Sequence, residues 1–114
     1  MKTEDLLTAF IESIPDPVVL CDTNHIVKVA NKVAEDLMYE GKSLVGHNMF
    51  ESHKEESMKI VVEVLERLEK GEEEVQITNK EEGKQRTFMR AIRDADGKLV
   101  GYYERFMYWP ERIV

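Results

Sequence analysis

Apolar residues recur along the chain in three rhythms, and each rhythm predicts a different kind of element. Over residues 5 to 14, Leu6, Leu7, Phe10, Ile11 and Ile14 share one broad face, the spacing of a short amphipathic helix that Thr3 or Asp5 is placed to cap. Ile14-Pro15-Asp16-Pro17 ends it, because each proline disfavours helix in the residue before it. Two short β-rich runs follow, Val18 to Cys21 and Ile26 to Val29, with the turn-forming Asp22-Thr23-Asn24-His25 between them.

The middle of the chain turns helical. Asn31 is a cap for a helix reaching about Tyr39, with Val33, Ala34, Leu37 and Met38 expected inside and Gly41 just past its end. Residues 42 to 51 are irregular, with room for one or two single-turn helices around Leu44-Val45 and Asn48-Met49-Phe50. Ser52 and Glu55 have capping-box spacing, and Met58, Val61, Val62, Leu65 and Leu68 then repeat at helical spacing until Lys70-Gly71. The last third alternates with period 2: Glu74 to Thr78, Arg86 to Arg93 and Leu99 to Tyr108 read as strands, with a loop over residues 79 to 83 and a turn at Asp94-Ala95-Asp96-Gly97. Trp109-Pro110 closes the last strand.

Strands clustered at both ends with helices between them predict an α+β fold, a five-stranded antiparallel sheet with helices covering one face and an amphipathic helix in front. The organisation expected is one domain over 1–114, with the N-terminal helix at 1–14, the core at 15–109 and a tail at 110–114. That helix has two readings, a cover for the core or a dimer contact through Leu6, Leu7, Phe10, Ile11 and Ile14; its spacing does not choose between them.

Charge and composition narrow the function classes. The 114 residues carry a formal charge of −7, which disfavours wrapping nucleic acid by phosphate neutralisation. The apolar runs are far shorter than a bilayer span, and the acidic start Met1-Lys2-Thr3-Glu4-Asp5 is unlike a signal peptide, so a cytoplasmic location without membrane contact is the expectation. Cys21, the single cysteine, has no intramolecular disulfide partner, and no Cys/His cluster has zinc spacing. With no Gly-rich phosphate loop, nucleophile elbow or paired-histidine motif, no enzyme and no catalytic residue is expected. The Glu72-Glu73-Glu74 run reads as solvated charge.

Four segments, in order, resemble the PAS family of sensory domains across about Phe10 to Tyr108. They are Ile14-Pro15-Asp16-Pro17-Val18-Val19-Leu20-Cys21-Asp22, then Ile26-Val27-Lys28-Val29-Ala30-Asn31, then Leu44-Val45-Gly46-His47-Asn48-Met49-Phe50, and the hairpin Arg93-Asp94-Ala95-Asp96-Gly97-Lys98-Leu99-Val100-Gly101-Tyr102. The resemblance implies a cupped sheet enclosing a small cavity that holds haem, flavin, an organic acid or another small molecule, or is simply packed. It also implies a homodimer signalling to an effector in trans, as in bacterial two-component or transcriptional regulation. One departure stands out. Where many members end the last strand with Asp-x-Thr and an output helix, this chain reads Glu104-Arg105-Phe106-Met107-Tyr108-Trp109.

The cavity candidates are Cys21, Val29, Leu37, Met38, Leu44, Met49 and Phe50 from the first half, Met58, Val61, Val62 and Leu65 from the long helix, and Phe88, Met89, Tyr102 and Phe106 from the meander. Six methionines suit a plastic pocket, though the same stripe serves an ordinary core. A haem-binding gas or redox sensor is the alternative: by analogy with the family His53, at the start of the long helix, is the possible iron ligand, with His47 the weaker candidate. A third reading is a ligand-free interaction module. His25, in a hairpin turn, is expected to be solvated. Gly46-His47-Asn48-Met49-Phe50 lacks the cysteine that flavin photochemistry needs, which leaves only non-covalent flavin open. No cofactor is required by any residue pattern.

Overall fold

A computed structural model of the chain describes residues 1–38, 40–52, 55–80 and 85–108; for 38, 52, 78–80, 85 and 106–108 it describes the backbone only. Helix α1 spans Thr3–Ser13, strands β1 and β2 span Val19–Asp22 and Val27–Ala30, and helices α2, α3 and α4 span Lys32–Met38, Met49–Ser52 and Glu55–Glu69. Strands β3 (Glu74–Lys80), β4 (Gln85–Arg93) and β5 (Leu99–Tyr108) complete a five-stranded antiparallel sheet in the order β2-β1-β5-β4-β3. The expected α+β architecture is the observed one.

The β1–β2 and β4–β5 turns use one local device. Asp22 Oδ1 accepts the N–H groups of Asn24 and Ile26, and Asp94 Oδ1 accepts those of Asp96 and Lys98, so a short carboxylate replaces the missing ladder partners. Gly97 sits at φ +84, a left-handed position that costs glycine nothing.

One face of the sheet is buried under the helices. Val19, Cys21, Val27, Val75, Met89 and Tyr102 from the strands meet Ala34, Leu44, Met49, Met58, Val61, Val64, Leu65 and Leu68. Strands β1 and β5 approach so closely that a Cβ on Gly101 would collide with the Cys21 carbonyl oxygen. Glycine at 101 therefore sets the distance at the centre of the sheet.

Asn31 joins three elements at once. Its Oδ1 accepts the N–H groups of Val18 and Ala34, capping α2, and the hydrogens of Nδ2 lie among the carbonyl oxygens of Ile11, Ile14 and Asp16 at 3.0–3.4 Å. The exit of α1 is thereby tied to the start of β1 and of α2.

Several expectations about facing are corrected. Neither Thr3 nor Asp5 caps α1: Thr3 is its first residue and Lys2, without a side-chain bond, precedes it. No residue of α1 is buried, so α1 is not a core-covering helix. On α2 the Glu35 carboxylate accepts the Leu44 N–H; Leu37, about 200° further round a helix of 3.6 residues per turn, is 74% exposed rather than internal. Leu44-Val45 forms a turn, not a helix, closed by the His47 N–H on the Leu44 carbonyl. The expected Ser52–Glu55 capping box falls on the Ser52 side chain and on residues 53 and 54, which lie outside the described residues.

On α4 the inward stripe is Met58, Val61, Val64, Leu65 and Leu68, and Val62 is 39% exposed. The stripe through 61, 64, 65 and 68 follows i, i+3, i+4, i+7, whereas Val62 stands about 60° beyond its edge at Leu65. This contrast is measurable. Val64→Ala is expected to cost about 2 kcal/mol in urea denaturation and Val62→Ala less than about 0.5 kcal/mol; equal losses would contradict the assigned face.

Candidate functional site

Parity along each strand decides which candidate side chains reach the helix-covered face, and three bulges reset it. The first places Leu20 opposite Val29 but Cys21 opposite Val27, leaving Lys28 as the extra residue. Val27 is therefore buried against the core while Val29 shares the outer face with Leu20. The second, in β3, leaves Ile77 unpaired between Gln76 and Thr78, and the third, in β5, does the same for Val100.

Register then sorts the meander. Thr87, Met89 and Ala91 oppose Phe106, Glu104 and Tyr102, and Met89 and Tyr102 are buried. Phe88 pairs with Arg105 on the other face, where the guanidinium carbon lies 4.6 Å from the ring centroid. Phe88 and Val29 are thus outer-face residues rather than cavity residues. The side chains of Met38 and Phe106, and all of His53, lie outside the described residues.

Of the remaining candidates, Cys21, Leu44, Met49, Met58, Val61, Leu65, Met89 and Tyr102 form the packed core. Phe50 is 43% exposed because α3 is a single turn lying on the surface beside α4. Phe50, Met58 and Val62 instead line a groove of about 560 Å³ along the flank of α4, together with Glu55, Lys59 and Glu63. Three apolar walls under a rim of two carboxylates and one ammonium give a surface that accepts an apolar body and holds a polar end in water. Among the described residues no group of three or more His, Cys, Asp or Glu side chains is placed to hold a metal ion.

A polar cluster that meets Phe50 through His25 was not expected. His25 is half-buried, with Nδ1 2.8 Å from the Tyr102 hydroxyl, and is not the solvated turn residue its position in the hairpin suggests. Its backbone at φ +67 turns the chain, and the ring meets Phe50 edge-on at 4.7 Å and Tyr102 at 5.7 Å. Tyr102 stands directly opposite Cys21 across β1 and β5. Imidazole, phenol and thiol thus lie side by side across the β1–β2 turn, β5 and β1. The only sequence signal was the left-handed turn position itself, since Asn and His tolerate it better than most residues.

Burial sets the electrostatics of this chain. It pushes the Cys21 thiol up to about 11, against a smaller opposing pull from the Tyr102 hydroxyl. It also pushes the Tyr102 phenol well above its usual range. Burial lowers His25, which the Asp22 carboxylate partly offsets. Asp22 itself is pushed up by burial, but the Ile26 and Asn24 N–H groups and the Lys28 ammonium outweigh that and hold it low. On the outer face Glu74 accepts two hydrogen bonds from Arg105 and faces Arg90 at 3.7 Å, which keeps its carboxyl low.

Cys21 is accordingly a small buried hydrophobe rather than a nucleophile. At pH 8 a soluble disulfide reagent is expected to label native Cys21 at least about a hundredfold more slowly than the urea-unfolded chain, since a thiol raised from 9.0 to about 11 holds that much less thiolate. Equal rates would show the thiol to be open.

Comparison with known proteins places this geometry. A family model described as "PAS fold" matches residues 11–107. Among solved structures, a C-terminal domain from Streptococcus mutans aligns at TM-score 0.75 and 20% identity, over 94% of this chain and 85% of that one. The PAS domain of BvgS from Bordetella pertussis aligns at TM-score 0.68 and 15% identity, over 96% and 88%. A sensory box sensor histidine kinase from Vibrio cholerae aligns at TM-score 0.62 and 14% identity, over 90% and 88%. A search among curated proteins found no match.

Proposed function

The chain belongs to the PAS-fold family of sensory and signalling domains, and from that premise we propose that it works as a homodimer whose contact is built on α1. The observation that carries this is the exposure of Leu6, Leu7 and Phe10, at 59%, 54% and 59%, on a helix held firmly at its C-terminal end. Contiguous exposed apolar side chains on an ordered helix favour a partner, because covering them removes apolar area from water at about 25 cal/mol per Å².

A second copy suits this face. Helix α1 brings Glu4 and Asp5 in its first turn, and the outer sheet face brings Arg90 and Arg105 beside the apolar surface of Leu20, Phe88 and Tyr103. An α1 helix laid on the outer sheet face of its twin would match apolar with apolar and bring Glu4 and Asp5 near Arg90 and Arg105, which Glu74 already pairs. The dimer would then present its state to an effector in trans. The net charge of −7 supports a protein rather than a nucleic-acid partner.

A second reading concerns the groove beside α4. Its apolar walls, Phe50, Met58 and Val62, with a charged rim, favour a small amphipathic molecule, and native mass spectrometry of freshly purified protein reads such a mass directly. For the dimer the test is light scattering of the wild type and of the Leu6→Glu/Phe10→Glu variant. The expected result is a dimer for the first and a monomer of unchanged circular dichroism for the second. A monomeric wild type, or a variant that remains dimeric, would overturn the proposal.

A further inference from the structure

His25 stands between two residues of opposite freedom. On one side Tyr102 is 3% exposed and fixed in the sheet by pairing on both edges of β5. On the other side Phe50 is nearly half exposed and belongs to a single-turn helix. The backbone around His25 is also the seam joining the β1–β2 hairpin to α3: Met49 N–H donates to the His25 carbonyl, Val27 N–H to the His47 carbonyl, and Ile26 bridges Asn48.

We propose that His25 is a proton-responsive latch, which when neutral holds Phe50 and α3 against the hairpin and when protonated releases them, widening the groove beside α4. The reasoning is one of donors and acceptors. With the neutral ring protonated on Nε2, the Tyr102 hydroxyl donates to Nδ1, and Cys21 lies opposite Tyr102 on β1. Protonation makes Nδ1 a donor as well. Two donors cannot face each other at 2.8 Å, so the phenol must turn its hydrogen toward Cys21 Sγ, a weak acceptor, while the new charge seeks water. Tyr102 cannot yield, being buried. Phe50 can, and its departure opens a path from the ring to solvent.

The charges around the ring decide how far this goes. From β1, Asp22 favours the imidazolium, but its carboxylate is already committed to the Ile26 and Asn24 N–H groups and to Lys28 at 3.7 Å. From β5, Glu104 acts on Tyr102 and Cys21. Glu55 stands with Phe50 on the groove wall, where it would meet the released ring. Burial is the larger influence on His25, so the folded state favours the neutral ring. The sign follows: the stability this adds is complete above the ordinary imidazole pKa of about 6.5 and is lost as pH falls through the lower folded value. The latch does not depend on the groove being occupied; it concerns only the groove's width.

The test is an NMR pH titration of the intact chain with labelled histidine, read together with backbone amides. The expected results are a neutral His25 carrying its proton on Nε2, a His25 midpoint below the ordinary imidazole value of about 6.5, and Phe50 and Met49 amides moving with the His25 midpoint. In His25→Gln those two amides should lose their titration below pH 6.5, whereas in His47→Gln they should keep it. A proton on Nδ1 at neutral pH, a His25 midpoint at or above about 6.5, or Phe50 and Met49 amides that stay still through it would overturn the proposal. The wild-type titration decides the matter even if His25→Gln fails to fold.

Discussion

The arrangement of this domain depends on the burial of one carboxamide. Asn31 has no solvent exposure, and five hydrogen-bond contacts of its side chain, two accepted at Oδ1 and three shared by the two Nδ2 hydrogens, reach the α1 exit, the start of β1 and the first turn of α2. Each such bond is worth about 1 kcal/mol net, but a buried group left unpaired costs about 1–3 kcal/mol, so the five are held or lost together. Helix α1 buries no residue of its own. Its direction relative to the sheet is therefore set by hydrogen bonds at one end rather than by packing along its length, which is what leaves Leu6, Leu7 and Phe10 outward. Glu12 adds a further tie by accepting the Lys32 N–H.

At the other end of the domain Arg93 plays a comparable part. Its guanidinium donates to the carbonyls of Leu68 and Glu72 and pairs with Glu73, closing the C-terminal turn of α4 onto β4. Exposed ion pairs contribute little by themselves, and Arg67 with Glu72 is of that kind. Arg93 differs because it binds the Leu68 carbonyl in the last turn of α4, which also accepts the Gly71 N–H, and the Glu72 carbonyl just beyond it. Between Asn31 and Arg93 lies the packed face of sheet and helices, and the groove beside α4 and the His25 cluster sit at its margin, where α3 contributes a single turn.

How much of this the sequence shows depends on whether a feature is local. The Asp22 and Asp94 turns, the Asn31 cap, the period-2 strands of the meander and the existence of α4 are properties of adjacent residues, and their segment order pointed to the PAS fold. Facing was less legible. Three bulges shift strand parity, so Val29 lies outside although Val27, two residues earlier, lies inside. Val64 rather than Val62 faces inward because the sheet, not the helix, selects which edge of the apolar stripe is covered. The contact of His25 with Tyr102, 77 residues away, comes from the pairing of β1 with β5 and has no counterpart in local pattern.

Amide hydrogen exchange in the wild type and in Asn31→Ala measures the central constraint directly. If one carboxamide holds α1, β1 and α2 together, removing it should speed exchange at the end of α1, at Val18 and at Ala34 by a common factor while the Leu65 and Met89 amides remain protected. Faster exchange at Ala34 alone, with α1 and Val18 unchanged, would show that Asn31 is an ordinary helix cap and that α1 is positioned by something else.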